Sequence, residues 1–527
     1  MATSLDNNIC GVLLVDGITY GRLNGKLLYK CIPDDITLPH ALVPYEDKSL
    51  AFSKVKVNKY VEIQLISAAS GTLTNVFGDV DDLEAYIQYQ LACKNMGSSS
   101  NSSNSIKALN AAALRALREK PISNILNNYY LIEDRLDQSI ISIDPVGCQD
   151  IDDALGLRRL PDGQLLLSIY ISNVPFMIDY LNLWQHISDR ISTLYFSHKK
   201  VPMLPYTLSE NRCSLLQGEE RVAFALDVYI YAGLIKKIEI NNTLIKVEKN
   251  YAYEDEELLK RSDYKDMLRV IKQLNQESFN YVGYVDEVKD SHTVVEFCMI
   301  LMNHECAKFL RAKGKGIFRS ATKKEAQNED YKKVLVNAPE LTFILQGVAG
   351  QYDLSENIKP HELIGKGLDC YVHITSPIRR IVDIVNMLEL QIGTGITSQG
   401  ALDFLQKWTT EACVDTINIK TKAIRRLQND VELLQLYEKD KCKVYTGIVL
   451  VGGCRPPEPP TGGSGCAIIS TRVEGQQSPT PVYIPELKLL TKVYSPQALK
   501  AYSIVECTVH LFLDESKMSR KVRLQLL

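Results

Sequence analysis

The sequence predicts an α+β chain, with a mixed central domain between two small β-barrel domains. Three observations carry this. Residues 9–93 read as short β-rich runs, at 9–15, 26–32 and 55–65, parted by Gly, Asn, Asp and Pro turn signals. After Tyr437 the pattern returns to β, with about five runs at 443–451, 465–470, 481–485, 504–513 and 521–524. Between them, the chain begins strand-rich, as at 164–172, and ends helical, as at 293–310 and 419–436.

Taken in order, residues 1–95 form the first barrel. Residues 96–115 hold a flexible linker and the start of a helix. The linker is read from the Gly/Ser/Asn run 96–105, and the Ala-rich run 108–119 is helical by propensity. Residues 116–436 make the central domain. Residues 437–527 make the last barrel, since five strands with Gly/Pro turns suit an OB-type fold. A long Pro/Gly loop at 454–465 separates its first two strands.

The chemistry starts at Ser142-Ile-Asp-Pro-Val-Gly-Cys-Gln-Asp-Ile-Asp-Asp-Ala154. Asp144, Asp150, Asp152 and Asp153 crowd together between apolar shoulders, Ile141 and Ile143 before and Ala154 and Leu155 after. Like charges this close repel and are costly to desolvate. A hard divalent cation removes that cost, so the cluster predicts a Mg²⁺ site. The competing reading, a surface loop of turn-forming aspartates, leaves the apolar shoulders unexplained.

Far downstream stands Tyr371-Val-His-Ile-Thr-Ser-Pro-Ile-Arg-Arg-Ile-Val-Asp-Ile384. Pro377 suits a first helical turn, with Ser376 or Thr375 as its cap. Arg379 and Arg380 are then expected in that turn, at an end already favourable for phosphate. Guanidinium binds phosphate bidentately. Carboxylates for Mg²⁺ together with an arginine for phosphate make a phosphoryl-transfer site. Alone, the pair would read as solubilising charge.

Both segments, with the stretch between them, resemble the RNB catalytic domain of the RNase II family of 3′→5′ exoribonucleases. The pattern Ile-Asp-Pro, then Asp-hydrophobic-Asp-Asp-Ala, is met by Ile143-Asp-Pro145 and Asp150-Ile-Asp-Asp-Ala154. Tyr195-Phe-Ser-His-Lys-Lys-Val-Pro-Met-Leu-Pro205, Leu208-Ser209 and Cys213-Ser-Leu215 follow in order. So do Val295-Glu-Phe-Cys-Met-Ile-Leu-Met-Asn303, Ile317-Phe-Arg319 and Thr375-Ser-Pro-Ile-Arg-Arg380. The resemblance covers residues 115–435. It departs at Tyr170-Ile-Ser-Asn-Val174, where the family usually has His-Ile-Ala-Asp-Val, and at Asn386-Met387, where it often has His-Arg. These departures bear on RNA-backbone contacts more than on the chemistry. Residues 71–78 resemble a strand of the family's cold-shock-type OB domains. The short N-terminal region and relaxed motifs suit a compact, divergent member, of a kind a virus could carry.

The resemblance implies a hydrolytic, processive 3′→5′ exoribonuclease that degrades single-stranded RNA to nucleoside 5′-monophosphates. It implies two Mg²⁺ ions, with Mn²⁺ as a substitute, on Asp144, Asp150 and Asp153. Asp152 matches the residue needed for the chemistry, by orienting water or completing the second metal site. Arg379 matches the arginine on the scissile phosphate, and Arg380 holds the next phosphate or a structural carboxylate. Tyr195 matches an aromatic that stacks on a base near the 3′ end. Glu296 matches a residue that accepts from a ribose 2′-OH. The alternative is a catalytically weak or inactive RNB-type RNA-binding protein. A metal phosphatase or DNA nuclease is the other rival.

Composition limits the setting. The net charge of −3 gives no global pull on nucleic acid and argues against a nonspecific RNA coat. It fits an enzyme whose positive charge is local, in pairs such as Lys199/Lys200, Lys313/Lys315, Lys420/Lys422 and Arg425/Arg426. The thirteen cysteines are odd in number and form no Cys-x-x-Cys, which reads as reduced thiols without disulfide frame or zinc site. No signal-like or membrane-length apolar run occurs. A cytoplasmic monomer without membrane contact or obligate protein partner is expected.

Overall fold

The computed structural model describes residues 8–46, 56–67, 69–94, 96, 100–120, 131–276, 284–322, 350–364, 367–393, 396, 398–450, 478–487, 489–495, 499–514 and 516–527. The predicted strand 465–470 and the loop 454–465 lie outside them.

The N-terminal strands close on themselves. Asn8–Leu13 pairs with both Lys59–Ser67 and Lys26–Pro33. Ser70–Asp79 and Ala41–Tyr45 complete the circuit. Val12 and Leu13 show the principle, since both are fully buried, on opposite faces of one strand. Leu13 enters the barrel core with Val43, Val61 and Ile63. Val12 joins the larger core that the barrel shares with the central domain. At the other end, Val444–Val449, Ser478–Ile484, Leu489–Ser495, Ser519–Leu526 and Ile504–Asp514 form a second closed barrel in that spatial order. Its strand Leu489–Ser495 was not among the predicted runs.

The predicted linker is corrected in part. A helix runs from Ser100 to Glu119 and takes in residues 100–105 of the run assigned to a linker. The Ala-rich segment nucleates that helix, and propagation into weaker formers costs little per residue.

The central domain is a mixed sheet of seven strands. Its order is Lys249–Ala252, Ile141–Asp144, Asp153–Arg159, Leu165–Ser172, Glu220–Tyr231, Leu234–Lys246 and Ile132–Arg135. The two outer pairings are parallel and the inner ones antiparallel. Alternation sorts the side chains. Leu167, Ile169 and Ile171 pack on the helices Ser262–Leu274 and Ser291–Lys313, while Tyr170 faces the opposite core. Helix Ser291–Lys313 is fixed at both ends. Asp290 and Thr293 form a capping box, and Gly314 closes it with φ 63°, a conformation that favours glycine.

Helix Glu411–Lys439 joins the three domains. Its Ile424, Leu427, Val431 and Leu434 share one core with Tyr86 of the N-terminal domain and sheet-end residues of the C-terminal barrel. Among the described residues, no helix is long and apolar enough to cross a membrane, and the eleven described cysteines are free thiols.

Candidate active site

The acidic cluster spans two neighbouring strands and the loop between them. Asp144 ends the strand Ile141–Asp144 and Asp153 starts Asp153–Arg159. The chain turns between them at Pro145–Cys148, where Cys148 N–H donates to Pro145 O at 3.1 Å and Gly147 takes φ 81°. The Cys213-Ser-Leu215 motif holds this loop. Ile151 N–H donates to Ser214 Oγ (3.0 Å), Ser214 Oγ donates to Gln149 O (2.7 Å), and Leu215 N–H donates to Ile151 O (3.0 Å). A motif with no evident chemistry therefore sets the shape of the aspartate loop.

The arginine motif meets this loop from the other side. Asp152 Oδ1 accepts the Ile378 N–H at 3.0 Å, and Asp152 Oδ2 lies 3.6 Å from Arg379 Nε. Arg379 Nη2 donates to Ser376 Oγ at 2.9 Å, and the side chain stays well exposed. The predicted helix start is corrected. Ser376–Arg379 is a turn, and the helix runs only from Ile381 to Gln391. Arg380 is its N-cap residue, with extended backbone, because residues 379–381 pair with the chain at 191–193. Tertiary pairing overrides the local Ser-Pro signal here.

Arg380 turns inward. Its Nη2 donates to Asp383 Oδ1 at 2.8 Å, and Nε lies 2.8 Å from Asp383 Oδ2. Asp383 is fully buried and also accepts the Ser376 N–H at 2.7 Å. Of the two roles foreseen for Arg380, the geometry supports the structural carboxylate. That edge of the guanidinium braces the turn that carries Arg379 instead of facing outward to phosphate.

Electrostatics mark the cluster as strained without a counter-ion. Burial pushes the Asp144 carboxyl up to about 6, with the Asp150 charge adding to it against a hydrogen bond from Ser142. Burial pushes Asp152 up to about 7, against the opposing pull of Arg379 and the Ile378 N–H. Burial and the charges of Asp144 and Asp152 push Asp153 well above the carboxylate range. Asp144 Oδ2 is buried without a hydrogen-bond partner. An orphaned carboxylate oxygen amid repelling neighbours fits a hard divalent cation with oxygen ligands.

Asp150 is differently placed. Tyr195 Oη donates to its Oδ2 at 2.9 Å, and Lys200 Nζ lies 2.9 Å from its Oδ1. Lys200 also reaches Glu210 at 2.6 Å. Tyr195 keeps a half-exposed ring beside the cluster. Lys199 is engaged too, on Glu84 of the N-terminal domain. The first of the basic pairs is therefore tied to carboxylates.

Glu296 sits on the exposed face of helix Ser291–Lys313. Burial and the nearby Asp286 and Asp290 raise its carboxyl. One turn earlier, His292 stacks on Tyr253 with ring centroids 3.9 Å apart and planes within 7°. Residues four apart share a helix face, so Glu296 flanks this stack. Tyr253 in turn donates its N–H to Asp144 O at 3.2 Å, and burial and the charges of Asp153 and Asp144 push its hydroxyl up to about 12. The sequence reading missed Tyr253 and His292, and had Lys200 only as half of a local basic pair. Its one available signal was the aromatic pair Tyr251 and Tyr253, which local pattern cannot tell from a core strand.

The two departures from the family pattern are structural. Asn173 caps the helix Val174–Tyr180, accepting from Phe176 N–H at 3.2 Å. Asn386 accepts from Ile317 N–H (2.7 Å) and donates to Ile317 O and His373 O (2.9 Å each). His304, Asp369 and Cys370 also bring metal-capable atoms within 4.8 Å of one another. They are closed by their own partners, Tyr284 on His304 and Arg311 on Asp369. Apart from the aspartates, a cavity of about 510 Å³ opens between the N-terminal domain, the long helix and the last barrel. Arg426, Lys492, Lys521 and Arg523 line it, with Asp430 among them.

The strand-and-helix frame presses clustered carboxylates against an arginine turn, and comparison with known proteins gives the domain type. Residues 132–392 match the RNB domain model, so the chain carries an RNB domain over that stretch. Ribonuclease R of Thermotoga maritima is 31% identical over 124 residues, which cover 23% of this chain and 18% of that protein. Ribonuclease R of Helicobacter pylori is 24% identical over 389 residues, covering 60% and 58%. The human exosome complex exonuclease RRP44 is 42% identical over 94 residues, covering 18% and 10%. The chain thus spans less than two thirds of these relatives' lengths. Mycoplasma genitalium RNase R, solved with ribose-methylated single-stranded RNA, superposes with TM-score 0.67 at 16% identity, over 99% of this chain and 89% of that one. Yeast Ssd1, a pseudonuclease, superposes with TM-score 0.56 at 15% identity, over 94% and 66%.

Proposed function

We propose that this protein is a divalent-metal-dependent exoribonuclease that hydrolyses single-stranded RNA processively from the 3′ end and releases nucleoside 5′-monophosphates. The observation that carries this reading is the approach of Asp152 to the turn bearing Arg379, beside an acidic cluster with an orphaned oxygen. Asp144, Asp150 and Asp153 would hold Mg²⁺, or Mn²⁺ in its place. The ions would supply a more acidic bound water and neutralise charge on the leaving oxygen.

The remaining work falls to the chain itself. Asp152 is held by the Ile378 N–H and orients the attacking water. Arg379 keeps its exposed guanidinium for the scissile phosphate, where charge develops. Tyr195 offers its ring to a base, and such stacking tolerates any sequence. Glu296, beside the Tyr253–His292 stack, accepts from a 2′-hydroxyl. The basic cavity lined by Arg426, Lys492, Lys521 and Arg523 gives RNA a favourable approach despite the net charge of −3. A cytoplasmic, reducing setting accords with the free thiols.

The pseudonuclease among the fold relatives gives the second reading, an inactive RNA-binding member. The intact set of four aspartates and Arg379 favours activity. A purified sample given a labelled oligoribonucleotide, with Mg²⁺ or with EDTA, separates the two. Mg²⁺-dependent loss of nucleotides supports the enzyme. Retention of intact RNA in both supports the binding protein.

A further inference from the structure

We infer that Arg319 is a second phosphate-binding arginine of the RNA site, in the role that Arg380 leaves vacant. The inference rests on the exoribonuclease reading above. Arg319 lies on the strand Ile317–Ser320 and is only 8% exposed. Among the described residues, no carboxylate pairs with its guanidinium. Its neighbours are basic or aromatic: Arg380, Arg425, Tyr352 and Tyr371. His361 and His373 are also close, and burial, with the Arg319 charge acting on both, lowers their imidazoles below the ordinary range. A buried guanidinium among cations is costly unless an anion joins it.

The site is built around that side chain. The guanidinium lies over the Tyr352 ring at 4.8 Å from its centroid. On another side it meets Gly350, where a Cβ would stand 2.3 Å from Arg319 Nη2. Tyr352 is itself fixed, by Asn418 on its backbone and by His373 Nδ1, 2.7 Å from its hydroxyl. An arginine stacked on a ring keeps its edge donors for a planar or tetrahedral anion.

The frame ties that anion to the RNA. Arg319 N–H donates to Tyr371 O at 2.7 Å, and Phe318 bridges to Val372. Residues 371–374 lead directly into the turn that carries Arg379. Asn386 clamps Ile317 and His373 together from the following helix. Arg319 and Arg379 therefore sit on one rigid unit, and a polyanion seated on Arg379 is the natural anion for Arg319. Arg425 of the long helix adds a second charge beside it.

The test measures binding in an Asp152→Asn background, which separates it from cleavage. A single-stranded oligoribonucleotide is titrated across a series of NaCl concentrations, with folding checked by thermal melting. One lost phosphate contact lowers the steepness of log K against log salt by about 0.7 for a single strand. Arg319→Gln is expected to lose that amount and to bind roughly tenfold more weakly. Arg319→Lys keeps the charge and is expected to restore the slope, which a merely structural role would not do. A folded Arg319→Gln protein with the parental slope and affinity would overturn the inference alone. No RNA binding by the Asp152→Asn parent would overturn the functional reading with it.

Discussion

Replacing Arg379 by lysine tests the geometry of the site at one bond. The guanidinium spends one edge on Ser376 Oγ, 2.9 Å away, and sets Nε 3.6 Å from Asp152 Oδ2. Its other donors remain for a phosphate. Lysine keeps the charge but has a single ammonium, which cannot hold Ser376 and face phosphate in the same fixed plane. The loss is on the order of one charge-assisted hydrogen bond, about 1.5–3 kcal/mol. That corresponds to a fall in kcat of roughly 10- to 150-fold. Because the contact strengthens as charge develops, RNA affinity should hardly change. Single-turnover digestion of a 5′-labelled oligoribonucleotide gives the rate, and anisotropy gives the affinity. An unchanged kcat would refute the reasoning and leave Arg379 a structural residue. A large loss of affinity with normal kcat would make it a binding residue only.

Three further outcomes are expected. Glu296→Ala should narrow the preference for RNA over DNA by about one to two orders of magnitude, the worth of one charge-assisted hydrogen bond; an unaltered RNA/DNA ratio of kcat/KM removes Glu296 from sugar recognition. Lys200→Met leaves Asp150 and Glu210 without their shared ammonium, so Mn²⁺ should bind roughly thirtyfold tighter, the effect of about 2 kcal/mol between a unit charge and a dication about 4 Å apart in a watery setting, and an EPR titration with the parental affinity would exclude this competition. Asp227→Asn should cost about 1.5–3 kcal/mol of stability, because it leaves buried Arg135 with only the half-exposed Glu133 as a carboxylate partner. Burial alone would raise the Asp227 carboxyl, but Arg135, Ser168 and Asn241 outweigh it and hold it below the ordinary range. The difference in urea midpoint should therefore be full at neutral pH and shrink as pH falls below about 4; a gap that stays constant into acid would show that the pair's charge is irrelevant.

The acidic loop and the arginine motif were legible because their chemistry is written in consecutive residues. Asp150-Ile-Asp-Asp153 cannot be crowded between apolar shoulders without a purpose, and the structure brings Asp152 against the Arg379 turn. The fold class was legible from alternation and turn residues at both ends. What was lost depended on partners distant in sequence. Ser376-Pro377 carries a good helix-start signal, but pairing between Arg380 and Ser192 delays the helix to Ile381. Arg380 reads equally as a ligand for phosphate or for a structural carboxylate, and only the fold sets Asp383 beside it. Lys200 is an ordinary surface lysine in sequence, and its seat between Asp150 and Glu210 exists only after folding. The Tyr253–His292 stack joins two elements that no local pattern connects. The 96–105 run looked like a linker by composition, yet the Ala-rich helix extends into it.

The central claim is that the cluster around Asp152 cleaves RNA from the 3′ end. Its most direct test is a time course of a 5′-labelled oligoribonucleotide with Mg²⁺, for the parent chain and for Asp152→Asn, each repeated in EDTA. The account predicts that the parent shortens the strand from its 3′ end to a small limit product, with few intermediates and with nucleoside 5′-monophosphates released. It predicts that Asp152→Asn and EDTA both abolish this, while Asp152→Asn still binds RNA within a few fold of the parent. Near-parental cleavage by a folded Asp152→Asn protein, or full activity in EDTA, would contradict it.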